Sequence, residues 1–105
     1  MAGELIALVT CPGDDGERMA RMLVEEELAA CVNIVAGVFS VFRWEGEVEA
    51  QKEDLLIIKS NRRIWPSLEK RVKELHPYDT PEIICFPIED GYKPYLDWIN
   101  SALRQ

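Results

Sequence analysis

A chain of 105 residues, 48% apolar and 30% charged, has the size and composition of a single globular domain spanning residues 1–105. Its net charge of −7 argues against partners held through phosphates, so neither nucleic acid nor an anionic membrane surface is expected. Cys11, Cys31 and Cys85 are odd in number and widely spaced, with no CxxC, which reads as reduced thiols in a cytoplasmic protein.

Residues Met1 to Thr10 lack a basic segment followed by an apolar stretch, so no signal peptide is expected. Leu5-Ile6-Ala7-Leu8-Val9 is an apolar run that stops at Cys11-Pro12-Gly13, the pattern of a buried strand ending in a turn. Asp14 or Asp15 is placed to cap a helix whose apolar face carries Ala20, Leu23, Val24 and Leu28. From Cys31 to Trp44 the residues are β-rich, and Gly46 supplies the positive φ of a hairpin turn. The return strand is polar through Lys52 and Glu53, then apolar at Leu55-Leu56-Ile57-Ile58. Arms of this length exceed the usual 5–6 residues, so the hairpin should project from its domain.

Ser60 or Asn61 caps a second helix striped by Ile64, Leu68, Val72 and Leu75, with Pro66 in its first turns. That helix ends near Leu75, because the residue before Pro77 avoids helical geometry. Pro81 opens a strand, Ile83-Ile84-Cys85-Phe86, and Pro94 starts a last helix burying Leu96, Ile99, Ala102 and Leu103. The order β-α-β-β-α-β-α predicts an α+β, ferredoxin-like antiparallel sheet, strand order 4-1-3-2, with helices on one face. The runs 5–9, 55–58 and 83–86 are apolar at consecutive positions, so the other face needs cover as well. A second copy of the chain in a closed symmetric assembly is the simplest cover.

Chemistry-bearing residues concentrate in His76-Pro77-Tyr78-Asp79-Thr80-Pro81-Glu82, which also reads as a rigid helix-to-strand joint. The topology sets the end of the first strand beside the start of the fourth, so Cys11, His76, Asp79 and Glu82 are expected at one edge. Thiolate, imidazole and carboxylate suit copper or zinc. The alternatives are a helix-terminal His76 bonding the last carbonyls, and Cys31 and Cys85 as small buried apolar groups. Cys31 falls at the opposite edge with Lys59, while Trp44, Tyr78, Tyr95 and Trp98 read as packing or interface aromatics. No GxGxxG, P-loop, GxSxG or HExxH occurs, and Asp14, Asp15 and Glu17 oppose a thiolate at Cys11, so no enzyme is expected.

Leu28-Ala29-Ala30-Cys31-Val32-Asn33-Ile34, Trp44-x-Gly46, Leu56-Ile57-Ile58-Lys59, His76-Pro77-Tyr78-Asp79-x-Pro81-Glu82 and Tyr95-Leu96-x-Trp98 occur in this order. By these motifs the sequence resembles the CutA-like divalent-cation tolerance proteins over nearly its whole length. The resemblance implies a tight cytosolic homotrimer with inward-facing sheets, shaped like the PII signalling proteins, and no established catalytic activity. It also implies a link to tolerance of copper and other divalent cations; no cofactor is expected to be required, and any such ion is expected to be held weakly at the residues that the topology gathers, His76, Cys11 and Glu82. The alternative it carries is a PII-like sensor or scaffold, with a ligand cleft at Tyr78, Asp79, Trp44 and Lys59. The chain departs from the family pattern at Phe42-Arg43-Trp44, where many relatives read Tyr-x-Trp, and at Asp79, where Glu is usual. Copper-linked relatives carry paired histidines and a strand cysteine where this chain has Leu75-His76 and Val9; Cys11 stands nearby.

Overall fold

Residues 3–105 are described by the computed structural model, and its sheet begins with β1 (Glu4–Cys11). There Leu5, Ala7, Val9 and Cys11 are buried against the helices, while Ile6, Leu8 and Thr10 are half-buried on the other face. A single 3-10 turn, Gly13–Asp15, leads into α1 (Gly16–Glu25), followed by β2 (Cys31–Trp44), β3 (Glu47–Asn61), α2 (Trp65–Leu75), β4 (Ile83–Pro87) and α3 (Lys93–Ala102). The antiparallel sheet runs β2-β3-β1-β4, the order expected from the sequence.

The start of α1 differs from expectation. Neither Asp14 nor Asp15 caps it by a side-chain hydrogen bond; Asp15 instead accepts from Arg18 at 3.2 Å. The helix also stops at Glu25, short of Leu28. Leu28 N–H donates to Leu23 O at 3.0 Å and Glu27 N–H to Val24 O at 3.0 Å, a Schellman closure with Glu27 at φ +60°. This turn returns Leu28 to the core while leaving Val24 exposed.

Asn61 rather than Ser60 prepares α2, its Oδ1 accepting from Ile64 N–H at 3.0 Å, whereas Ser60 Oγ donates to Leu28 O at 2.9 Å. Arg71 grips both oxygens of Glu26 at 2.9 Å, joining α2 to the end of α1 and holding the Glu26 carboxyl below its usual range. The last helix is tied to the Glu4–Asn61 end of the sheet. Asn100 accepts from Asn61 at 2.9 Å and donates to Glu4 at 2.6 Å, and Ile99 and Leu103 enter the core.

The hairpin does project. Its strands have 14 and 15 residues, and β1 ends opposite Asp54, so the part from Glu47 to Glu53 runs about 20 Å past the body. The molecule is accordingly 44 Å long and only 25 by 22 Å across, and its radius of gyration is 14.2 Å. A compact chain of this length would have about 13 Å. The turn at the tip has both Glu45 (φ +50°) and Gly46 (φ +83°) in left-handed backbone, the type I′ geometry that suits the strand twist.

A β-bulge lies where the hairpin leaves the body. Val35 pairs with Leu55 and Val38 with Glu53, so β2 carries one extra residue there, with Gly37 at φ +72°. Beyond it the even-numbered residues of β2, Ser40, Phe42 and Trp44, pair with Gln51, Glu49 and Glu47 on the open face of the sheet.

Candidate functional site

The helix-to-strand connector is fastened to the end of β1 by its histidine. His76, before Pro77, takes extended backbone (φ −80°, ψ 135°), which turns its buried ring back over the sheet. Nε2 lies 2.7 Å from Thr10 O, and Tyr78 N–H donates to Nδ1 at 3.1 Å. Those partners assign the neutral tautomer with the proton on Nε2. The Tyr78 ring then stacks at 4.7 Å and 52° on the imidazole, and its hydroxyl donates to Glu53 Oε2 at 3.0 Å while accepting from Gln51. Thr10 Oγ1 donates to Glu82 Oε1 at 3.4 Å. Burial and the bond to Glu53 push the Tyr78 phenol up to about 12.

This network forms the floor of a cleft of about 870 Å³ between the projecting hairpin and the connector. Ser40, Phe42, Trp44, Glu49, Gln51 and Glu53 line the hairpin side, and Thr10 with Tyr78 to Glu82 line the other. Phe42, Trp44 and Tyr78 supply aromatic walls, and Glu49, Glu53, Asp79 and Glu82 four carboxylates. Among the described residues lining it, none is Lys, Arg or His.

The expected site residues divide accordingly. Tyr78, Asp79, Trp44 and Glu82 share the cleft, and His76 braces it from beneath. Cys11 is elsewhere: it points from the opposite face of β1 to Thr10, is 0% exposed and packs in the core. Burial, then the charges of Asp54, Asp15 and Glu53, push its thiol up to about 11. His76, Cys11 and Glu82 therefore do not meet, and among the described residues no three His, Cys, Asp or Glu side chains gather as a cation site. Lys59 is also away from the cleft. It pairs with Ile6 and Cys31 about 20 Å along β3 from Glu53, and its ammonium donates to Asn33 Oδ1. Cys85 packs against the core, and Tyr95 and Trp98 pair on α3 at 5.5 Å.

Thr10, Ser40, Phe42, Glu49, Gln51 and Glu53 are cleft residues that sequence reasoning did not find. Glu49, Gln51 and Glu53 do alternate as one strand face should. Their aromatic neighbours across the hairpin depend on the bulge.

Residues 5–102 match the family model described as CutA1 divalent ion tolerance protein. A "Divalent-cation tolerance protein CutA" from Thermus thermophilus is 50% identical over 93% of this chain and 96% of its own length. Its fold, aligned over 96% of this chain and 99% of that one at 47% identity, has a TM-score of 0.92. "Protein CutA 1, chloroplastic" from rice is 43% identical over 96% of this chain, which spans only 58% of that protein. The rice crystal structure, 42% identical over 99% of this chain and 96% of that one, has a TM-score of 0.96. A chain described as "PII-like protein CutA from Nostoc sp. PCC 7120" matches 95% of this chain and 97% of its own at 36% identity and TM-score 0.91.

Proposed function

Because the chain belongs to the family of CutA1 divalent ion tolerance proteins, we propose that it works as a cytoplasmic homotrimer in tolerance of copper and other divalent cations, without catalysing a reaction. The observation that carries the assembly is the apolar face turned away from α1 and α2, which α3 meets only at the Glu4–Asn61 end. Ile6, Leu8, Leu55 and Ile57 are half-buried there, and Val35, Ile84 and Phe86 are exposed. An apolar surface of that continuity is characteristic of an interface. Three copies with their sheets inward cover it and give each projecting hairpin a neighbour, with no open strand edge left over. Three free cysteines fit a reducing compartment.

The cation is held weakly and through oxygen. Of His76, Cys11 and Glu82, only Glu82 is exposed. Asp79 beside it adds a second carboxylate, a donor set for hard cations. Copper reaches His76 only by displacing one of its two hydrogen bonds. Light scattering at micromolar concentration should return a trimer that Phe86→Asp dissociates; a wild-type monomer overturns the assembly. Copper titration of wild type against His76→Ala and Glu82→Gln completes the test: a loss of affinity with Glu82→Gln and none with His76→Ala is expected, and the reverse result overturns ligation through oxygen.

The second reading, a PII-like small-ligand sensor, is favoured by the cleft itself. Its volume of about 870 Å³ falls in the range of small-molecule pockets.

A further inference from the structure

The connector from Pro77 to Glu82 has one backbone tie. Pro77 and Pro81 carry no N–H, and among the described residues Asp79, Thr80 and Glu82 donate theirs to no protein acceptor. Tyr78 N–H alone is held, and its acceptor is Nδ1 of His76 at 3.1 Å. Side chains supply the other fastenings, Tyr78 to Glu53 and Gln51, and Glu82 to Thr10. A bond to Nδ1 lasts only while that nitrogen keeps its lone pair. Nε2, 2.7 Å from Thr10 O, donates in the neutral ring and still donates in the charged one. Adding a proton therefore leaves the Thr10 side of the ring intact and sets Nδ1–H against Tyr78 N–H.

The groups around the ring come from every element that packs there. β1 brings Cys11, whose thiol keeps its proton up to about pH 11. β3 brings Glu53, bonded to the Tyr78 hydroxyl, and Asp54, opposite Cys11. From α1, Arg18 donates to Leu75 O and pairs with Asp15, and the last turn of α2 carries Lys73 and Glu74, both exposed. The connector adds Asp79, Glu82 and the stacked Tyr78, whose phenol stays neutral. Carboxylates on β3 and the connector can accept from an imidazolium, whereas the Tyr78 amide cannot. We infer that His76 is a proton-operated latch. Neutral, it holds the connector to the end of β1; protonated, it keeps Thr10 O and releases Tyr78, loosening the path to Glu53 in turn. The latch closes within one chain, so it does not depend on the number of subunits or on the cation-tolerance reading.

NMR of the isotope-labelled native protein, taken from about pH 8 to about pH 5 with a chelator present, tests it. The imidazole C–H resonances follow the ring's own proton, and hydrogen exchange of the Tyr78 amide follows the bond. Protection of that amide, corrected for the intrinsic pH dependence of exchange, should fall at least about tenfold in step with ring protonation. His76→Asn, whose Oδ1 can accept in place of Nδ1 and takes up no proton, should show no such fall. Glu53→Gln, with the histidine in place, should still show it, and this variant serves if His76→Asn does not fold. The inference is overturned by protection that stays level while the ring titrates, or by a ring that stays neutral until the whole chain unfolds. An equal fall in His76→Asn, or a fall that Glu53→Gln abolishes, also overturns it, because the titrating group is then a carboxylate.

Discussion

Replacing Tyr78 by phenylalanine removes one oxygen and tests whether the connector is locked to the hairpin. The ring keeps its stacking on His76, so packing changes little. The loss is concentrated at Glu53, where a 6% exposed carboxylate gives up its 3.0 Å donor. A hydrogen bond to a charged group is worth about 1.5–3 kcal/mol, and stranding the acceptor adds to that. Gln51 also loses a partner, but it is half-buried and its amide can turn to water. Tyr78→Phe should therefore destabilise the protein by about 2–3 kcal/mol. Urea unfolding at one fixed protomer concentration measures this, because dissociation of an oligomer contributes to the midpoint. In a Glu53→Gln background the same substitution should cost less than about 1 kcal/mol, since the charge is gone. A loss below about 0.5 kcal/mol in the wild type, or equal losses in the two backgrounds, refutes the lock.

Cys11, 0% exposed with its thiol near 11, should resist a disulfide reagent at pH 8 in the native state while Cys31 reacts; modification of Cys11 before unfolding contradicts its placement. The thiol rises from 9.0 to about 11 and the Tyr78 phenol from 10.0 to about 12, so in both cases the folded state keeps its proton longer than the unfolded chain does. Their contribution to stability is complete below pH 9 and is lost between pH 9 and 12, so thermal scans should show an alkaline decline that Tyr78→Phe reduces. Gly16→Ala places a methyl group on the Asp54 carboxylate and should cost about 1–2 kcal/mol despite the better helix former, as seen by denaturant titration; no loss means that the β3 carboxylate does not abut α1. Glu27→Gly relieves the left-handed backbone of the Schellman closure and should gain about 0.5–1 kcal/mol, with a raised Tm as the readout and a lowered Tm as the contrary result.

Strand order, the overlong hairpin, the end of α2 before Pro77 and the nearness of His76 to the end of β1 were legible because punctuation by Pro and Gly and runs of apolar residues set them. Orientation was not. Leu5 to Val9 is apolar on both faces, so nothing in the run says that Cys11 faces the core and Thr10 the cleft. Once Leu5, Ala7 and Val9 are seen buried, the period of two places Cys11 with them. The same ambiguity hid the position of Lys59, which shares a face with Glu53 but lies at the far end of the strand. The bulge between Val35 and Val38 was the larger omission. One extra residue reverses the facing of everything after it, so Phe42 and Trp44 join Gln51 and Glu53 only because the register shifts there. The left-handed Glu27 is similarly silent, since a glutamate is not the residue that marks a helix end.

Native mass spectrometry of protein purified without chelator tests the central claim most directly, because one spectrum reads both the number of subunits and any ion they retain. The account predicts three copies of the 12.0 kDa chain with no tightly held metal. A stable monomer, or a copper ion kept in stoichiometric amount through desalting, would contradict it.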